Sequence, residues 1–370
     1  MSSIIYHRVE VENTKNVYSE FDNLDFFLQT DGRALQKNSV RIEGELRVMV
    51  NNGAGGTQRL STEDVNIDNV IGVHSLCDSF SCEFQNAGLV ENYSEYSHNV
   101  KTRNIGEMDR NDFHSALKNC ELIYPAEQLT RETLTGETSL NTDTVATDLT
   151  DMDFSFKPLI CLNRMSDDVS FGKTGFIKLT LNLNKNAQTF YGRDVDNSTA
   201  YQLRNVRLTY RSVPDVNNSV QMRTTLSLKS SINSTFSNTM SKVPAVCDGV
   251  SCVFMKQSKE GALKLCNQDV EKLSGIKEVQ FLFSDSTSQY VSYVIDDKGE
   301  MIDRFIDSLR NTGHNILNSN QNDMNFGIGL SFPPVDLSNQ KFNIQINSDD
   351  NTISTSPYLI YMYFHSFISL

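Results

Sequence analysis

The segment VRIEGELRVMV, residues 40–50, carries the pattern that decides the fold class. Its apolar residues stand two or four positions apart, with mostly charged residues between them: Val40, Ile42, Leu46, Val48 and Val50. Successive side chains of a strand point to opposite faces, so this spacing predicts a β-strand with one buried and one solvent-facing side.

Further segments repeat this alternation, and few segments have helical spacing. Predicted strands cover residues 176–183, 206–210, 279–283, 342–346 and 358–367. Apolar residues in 300–311 form one stripe and predict an amphipathic helix, while two other segments are weaker helix candidates, 109–120 and 260–273. A chain of strands with a few short inserted helices indicates an all-β sandwich or barrel.

The composition is that of an acidic chain that can form a core. The 370 residues are 38% hydrophobic, which is enough to bury a sizeable interior. The formal net charge is −13, and an acidic surface repels phosphate, so no sequence-specific nucleic-acid partner is predicted. No signal peptide or transmembrane segment is expected, because no apolar run is long enough.

The seven cysteines are expected to be reduced thiols that pack as small buried hydrophobic groups. Two pairs, Cys77 with Cys82 and Cys247 with Cys252, have the same odd spacing. On a strand this spacing puts the two sulfurs on opposite faces, so neither pair is expected to chelate zinc. We predict no metal site, no cofactor site and no catalytic residues.

An internal repeat indicates two similar halves. Residues 77–84 read CDSFSCEF and residues 247–254 read CDGVSCVF, with five of the eight positions identical. Three weaker matches lie in the same order along both halves: 40–42 with 206–208, 153–158 with 329–334, and 176–179 with 342–345. The alternative is that β-rich segments share alternation without a common repeat, and we favour duplication.

Each half has room for around eight strands and long loops, which is the size of a jelly roll. The sequence therefore predicts two tandem eight-stranded jelly rolls. We expect an N-terminal arm at residues 1–20, the first jelly roll at 21–190 and the second at 191–370.

Several segments, taken in order, resemble the double jelly-roll major capsid proteins of tailless internal-membrane bacteriophages, polinton-like elements and adenovirus-lineage viruses. Residues 22–50 (DNLDFFLQTDGRALQKNSVRIEGELRVMV) are similar to the opening strands of the family. Residues 73–86 (VHSLCDSFSCEFQN) resemble a segment in which His-Ser-Leu precedes an alternating strand and a turn. Residues 154–183 resemble the close of the first jelly roll, and residues 205–215 (NVRLTYRSVPD) resemble the opening of the second.

The resemblance implies a structural protein without enzymatic activity. Three copies of two jelly rolls present six similar lobes, so the implied homotrimer is a pseudo-hexameric capsomer that tiles an icosahedral shell. The implied partners are neighbouring trimers, vertex proteins and minor capsid or cement proteins, and an internal membrane is left open. The implied location is the virion capsid, assembled in the interior of the host cell. Segments 109–153 and 256–274 match nothing in the family.

Two sequence patterns suggest ligand binding, and each has a simpler interpretation. Gly172-Lys173-Thr174 resembles the end of a phosphate-binding loop, but Asp167 occupies the place of the first glycine, so a turn leading into a strand is favoured. An acidic cluster could hold calcium, but it lacks the glycine and terminal glutamate of an EF-hand, so a solvated loop is favoured. The cluster consists of Asp143, Asp148, Asp151 and Asp153.

Two other functions suit a β-sandwich. A carbohydrate-binding protein, such as a lectin or receptor-binding spike, is the first alternative, although the absence of Trp removes its usual aromatic platform. A glycosidase is the second, and it needs two carboxylates about 5–10 Å apart. A Ser–His–Asp triad could be assembled from distant residues, but no GxSxG motif marks a nucleophilic serine.

Overall fold

The computed structural model describes residues 3–54, 56–59, 65–68, 70–107, 120–122, 151–242, 246–284, 289–311, 326–336 and 341–370. Within these residues the strands form four sheets, two in each half of the chain. We call the part containing β1 to β11 the first half and the part containing β12 to β19 the second half.

The first half contains one large and one small sheet. Its strands are β1 Ile5–Glu10, β2 Asn23–Leu28, β3 Arg33–Leu35, β4 Arg41–Asn51, β5 Thr57–Arg59, β6 Cys77–Phe84, β7 Gly88–Tyr93, β8 Met152–Phe156, β9 Val169–Ser170, β10 Ile177–Leu183 and β11 Ala200–Pro214. The large sheet has the order β5-β4-β11-β3-β9, with β1 paired to β11 and β8 paired to β4. The small sheet has the order β2-β10-β6-β7, and both sheets contribute to one core.

The second half contains two four-stranded sheets. Its strands are β12 Gln221–Ile232, β13 Phe236–Lys242, β14 Val246–Lys256, β15 Ile276–Ser284, β16 Gln289–Ile295, β17 Gly327–Asp336, β18 Lys341–Ser348 and β19 Tyr358–Ser369. One sheet has the order β12-β19-β14-β17 and the other β13-β18-β15-β16. This is the strand order of an eight-stranded jelly roll. The prediction of an all-β chain built from two tandem jelly rolls is confirmed.

The alternation in residues 40–50 corresponds to β4, whose apolar side chains are buried and whose alternate residues are half-buried. Position 44 of this strand favours glycine, because a Cβ there would come within 2.9 Å of the Phe154 ring and 3.1 Å of the Arg204 carbonyl oxygen. Strand β10 alternates without interruption, with Ile177 and every second residue after it buried. Period-two spacing therefore predicted both strands correctly.

Helices are short and few among the described residues. They are α1 Tyr96–Glu107, α2 Phe171–Thr174, α3 Asn186–Thr189 and α4 Lys298–Asn311, with 3₁₀ turns at Gly72–Leu76, Cys161–Asn163, Gln257–Lys259 and Asn351–Ser354. Helix α4 confirms the amphipathic helix predicted at residues 300–311. Of the candidate at 109–120, only Cys120 lies among the described residues.

The helix predicted at residues 260–273 is wrong, because this segment folds into turns. Gly261 has a φ of 72°, which no α-helix contains. The Asn267 amide donates to the carbonyl oxygens of Ala262 at 3.2 Å and Leu265 at 3.1 Å, so it replaces helical backbone hydrogen bonds with local ones.

The first half contains the same strand order as the second. The path β1-β11-β4-β8 in its large sheet corresponds to β12-β19-β14-β17, and β2-β10-β6-β7 corresponds to β13-β18-β15-β16. The two similar octets do not occupy equivalent strands, since CDSFSCEF forms β6, whose counterpart is β15, and CDGVSCVF lies in β14, whose counterpart is β4. The octet match, the strongest signal for duplication, is therefore not a correspondence between strands.

Two of the three weaker matches join equivalent strands. Residues 153–158 lie largely in β8 beside β4, and residues 329–334 lie at the equivalent place, in β17 beside β14. Residues 176–179 lead into β10, between β2 and β6, and residues 342–345 lie in its counterpart β18, between β13 and β15. The third match does not join equivalent strands, since residues 40–42 and 206–208 lie on or beside β4 and β11, which are antiparallel neighbours in a single sheet. That match arose from alternation that unrelated strands share.

Residues 205–215 do not open the second jelly roll, since most of them lie in β11, which pairs with β1, β3 and β4. A cross-strand ion pair stabilises the pairing of β11 with β4, since the Arg207 Nε atom lies 3.0 Å from the Glu43 carboxylate. The chain therefore passes from the sheets of the first half to those of the second half between Pro214 and Gln221. The division into domains at residues 20 and 190 stays a prediction.

Candidate functional site

The contact region between the two halves, which we call the junction, is centred on β19. This strand is buried on both faces. Leu359, Tyr361 and Tyr363 belong to the apolar core that includes the first half. Ile360 and Met362 belong to the core inside the second half. One central strand therefore joins two jelly rolls, since alternate side chains pack into different cores.

A buried ion pair stabilises the junction. The Arg164 guanidinium lies 2.7 Å from the Glu91 carboxylate, and the Glu91 side chain has no exposed surface. The same carboxylate accepts from the backbone amides of Cys161 at 2.7 Å and Thr225 at 3.0 Å. Arg164 also donates to the Thr225 hydroxyl at 2.9 Å. Burial raises the pKa of Glu91, while Arg164 and these amides oppose that rise. Thr225 in β12 is thereby bonded to two charged groups of the first half.

A second group of charges joins helix α1 to the loop after β14. The Lys101 ammonium lies 2.6 Å from Asp68 and 2.9 Å from Asp269. Lys259 also pairs with Asp269. Burial alone would raise the pKa of Asp269, but the two lysines lower it to about 2. Lys101 thus links a carboxylate of each half.

Aromatic rings and hydroxyl groups complete the junction. The His98 ring stacks on the Tyr361 ring with centroids 3.9 Å apart. The Tyr363 hydroxyl donates to the Glu95 carbonyl oxygen at 2.8 Å, and the hydroxyls of Ser94 and Ser227 are 3.0 Å apart. These contacts fix the orientation of the two jelly rolls relative to each other, because their directional bonds require one alignment.

Sequence reasoning missed the junction. Its charged residues are distant along the chain, and their types and spacing are those of ordinary surface residues. One signal was present: residues 358–364 read YLIYMYF, a continuous apolar run without alternation. Such a run is typical of a strand buried on both faces.

The phosphate-loop candidate has a structural role. Lys173 lies in the one-turn helix α2, and its ammonium donates to the carbonyl oxygens of Asn218 at 2.6 Å and Leu370 at 3.3 Å. Asp167 accepts from the Asn218 amide at 3.1 Å. These residues secure the end of the chain against the first half.

The acidic cluster is not gathered into a calcium site among the described residues. Asp143 and Asp148 lie outside them, and Asp153 is exposed. Asp151 accepts two bonds of 2.8 Å from Arg47 and lies 3.3 Å from Arg59 and 3.6 Å from Arg204. The hydrogen bond from Arg47 is the main reason why the pKa of Asp151 is lowered. Asp151 therefore neutralises arginines on the large sheet.

The cysteine pairs pack in the cores. Cys77, Cys82, Cys247 and Cys252 are all buried and free. Strand β6 has a register shift opposite residues 182 and 183, which returns Cys77 to the buried side with Cys82. The expectation that their sulfurs lie on opposite faces is therefore wrong at β6. Over the described ranges, no group of three or more His, Cys, Asp or Glu side chains could hold a metal ion.

Two serine–histidine contacts exist among the described residues. The Ser251 hydroxyl lies 2.8 Å from His365 Nε2, and both residues are completely or almost completely buried. The Ser212 hydroxyl lies 2.7 Å from His7 Nε2, but it also accepts a 2.7 Å hydrogen bond from Arg33. The first pair is inaccessible to a substrate, and in the second a guanidinium already occupies the serine hydroxyl that would act as the nucleophile. No helix in the described part of the chain could cross a membrane.

No protein-family model matches the sequence, and no curated protein matches it. Solved structures match it throughout its length. The Faustovirus major capsid protein is 8% identical with a TM-score of 0.64, and the match covers 100% of this chain and 90% of that one. A chain of the Sputnik virophage is 11% identical with a TM-score of 0.57 and coverage of 99% and 85%. The mavirus major capsid protein is 10% identical with a TM-score of 0.50 and coverage of 99% and 90%. The chain has the double jelly-roll fold of these proteins.

Proposed function

We propose that this chain is a viral major capsid protein whose function is assembly into an icosahedral shell. The observation that carries the proposal is the fold: two jelly rolls side by side, similar over almost the whole chain to capsid proteins of two other viruses. The junction adds a physical argument. A capsid subunit must transmit force between its lobes, and shared burial on both faces of β19 makes the two jelly rolls one unit.

We infer a homotrimer as the assembly unit. Three copies carry six similar sandwiches, which fill a near-hexagonal outline and tile a curved shell. A stable interface of this kind buries roughly 2,000 Å² or more. Large apolar side chains exposed on the single chain are candidates for those contacts, and they include Tyr6, Phe21, Leu89, Phe236 and Val294.

The proposed setting is the virion, with assembly inside the host cell. Neighbouring trimers would supply most lateral contacts, and vertex and minor capsid proteins would close the shell. An internal membrane is compatible with the proposal and not required by it.

The mass of the purified protein in solution tests the proposal. Native mass spectrometry is expected to find a species of three times 41.7 kDa. A monomer that persists at high concentration would contradict it. A glycan array distinguishes the lectin alternative, since saturable binding to one glycan class by such a monomer would favour carbohydrate recognition over shell assembly.

A further inference from the structure

Two neighbouring clefts open on the first half near the large sheet. The larger has a volume of 840 Å³ and is lined by residues of β1, β4 and β11. The smaller has a volume of 640 Å³ and is lined in part by the segment after β8. Asn38 and Lys157 line both clefts, so the two form one groove, which we call the basic groove.

The charge of the basic groove is opposite to that of the chain. Arg8, Arg41, Lys157 and Arg211 line the larger cleft, and Lys37 and Arg103 line the smaller. The whole chain carries a formal charge of −13. A net negative charge would repel phosphate if it were spread evenly over the surface, but the fold concentrates cations in one concavity.

The carboxylates that line or adjoin the groove are already engaged. Glu107 in the smaller cleft lies 4.0 Å from the Arg103 Nε atom. Glu43 accepts from Arg207 at 3.0 Å and from the Thr209 hydroxyl at 3.2 Å. Glu121, which is buried, lies 3.4 Å from His74 Nε2 and accepts from the Lys157 backbone amide at 3.3 Å. Its distance to the Arg41 guanidinium is 4.0 Å.

Four cations of the groove have no ion-pair partner among the described residues: Arg8, Lys37, Lys157 and Arg211. Lys157 is half-buried. Its pKa is lowered first by burial and then by the positive charges of Arg41 and Arg103, with Arg211 adding to the effect. Positive charges that line one cleft repel one another, and an anion that enters between them is attracted to all of them.

We propose that the basic groove is a binding site for phosphate groups of an anionic ligand. Guanidinium groups from three different strands, β1, β4 and β11, converge on the larger cleft. A phosphate dianion has enough oxygens to accept from several of them, and planar guanidinium forks match its geometry. The cleft has the volume of a small-molecule site and is concave, which suits a phosphate chain or headgroup better than the flat surface of a second protein.

Two probes test the site on the full-length purified protein at low salt. Isothermal titration with sodium tripolyphosphate measures binding of free phosphate, and flotation with phosphatidylcholine vesicles, with and without phosphatidic acid, measures binding of a lipid headgroup. The groove variant carries Lys157→Gln and Arg211→Gln. The control variant carries Lys277→Gln and Lys298→Gln, which remove the same charge from the second half. If the groove variant has a lowered melting temperature, the single substitution Arg8→Gln, at an exposed position, takes its place in both assays.

The wild-type chain is expected to bind at least one probe, with affinity falling about tenfold or more in the groove variant, because charge-assisted bonds to phosphate are lost. The control variant is expected to bind as the wild type does. Binding of tripolyphosphate assigns the site to free phosphates, and binding of phosphatidic acid alone assigns it to headgroups. Absence of binding by the wild-type chain overturns the proposal, as does an equal loss in both variants. A groove variant that changes only the oligomeric mass overturns it in favour of an acidic surface of a second copy. None of these outcomes depends on the capsid assignment.

Discussion

The imidazole ring of His98 in α1 stacks on the phenol ring of Tyr361 in β19, with an angle of 19° between the planes and centroids 3.9 Å apart. The contact joins the two jelly rolls at a fully buried point. Burial lowers the pKa of His98 to about 3, with the positive charges of Lys101 and Lys229 contributing. The folded chain therefore keeps this ring neutral over a pH range in which the unfolded chain protonates it.

The first prediction concerns pH. His98 takes up a proton near pH 6.5 when unfolded and only near pH 3 when folded, so stability is lost as pH falls through this window, by about 1.4 kcal/mol per pH unit at most. His98→Phe keeps the stacking and removes the titration. Urea unfolding at a series of pH values should show a flatter profile for this variant. His7→Phe is the comparison: burial also lowers the pKa of His7, but this ring is only partly buried, so its replacement should flatten the profile less. An unchanged profile in His98→Phe would remove His98 as the cause.

The second prediction concerns the buried ion pair. Glu91→Gln leaves the Arg164 guanidinium at the junction without a counterion, and removing one partner of a buried pair costs about 3–5 kcal/mol. The matched control is Glu83→Gln on neighbouring β6, an exposed position where little change is expected. Chemical denaturation measures both. Equal stability of the two variants would show that the pair does not stabilise the junction.

The third prediction uses the two faces of β19. Tyr361→Ala removes a side chain from the core shared with the first half, at a cost of about 3–5 kcal/mol. Met362→Ala removes one from the core inside the second half, at about 2–5 kcal/mol. Calorimetry should show a single transition for the wild-type chain and for Met362→Ala. Calorimetry should show two separate transitions for Tyr361→Ala, because only that substitution weakens the coupling between the two halves. Identical thermograms for the two variants would contradict this division.

The fourth prediction concerns the thiols. Five of the seven cysteines are buried: Cys77, Cys82, Cys161, Cys247 and Cys252. Burial raises the pKa of Cys247 to about 12 and that of Cys77 well above its usual value, so little reactive thiolate forms. Iodoacetamide at mildly alkaline pH should leave these five unmodified in the folded chain and modify all seven after denaturation. Rapid labelling of the five in the folded chain would show that the cores are open.

Local alternation was sufficient to predict strands such as β4 and β10, because one buried face imposes period two on the sequence. It could not assign partners. Strand β11 has the same alternation as β4, and only the three-dimensional structure shows that the two pair with each other. Strand pairing depends on contacts between distant residues, which a single sequence does not encode in any one segment.

The junction was beyond prediction for a related reason. Glu91 and Arg164 look like surface residues in the sequence, and their burial follows from how β12 packs over the first half. The turns at 260–273 depend on bonds made by one side chain, Asn267, which overrides the apolar spacing of the segment. In both places tertiary contacts override local pattern.

Electron microscopy of the purified protein tests the capsid assignment most directly. Averaged particles are expected to show threefold symmetry and six similar lobes, two from each chain. Single two-lobed particles at all concentrations, or rings of another symmetry, would contradict it.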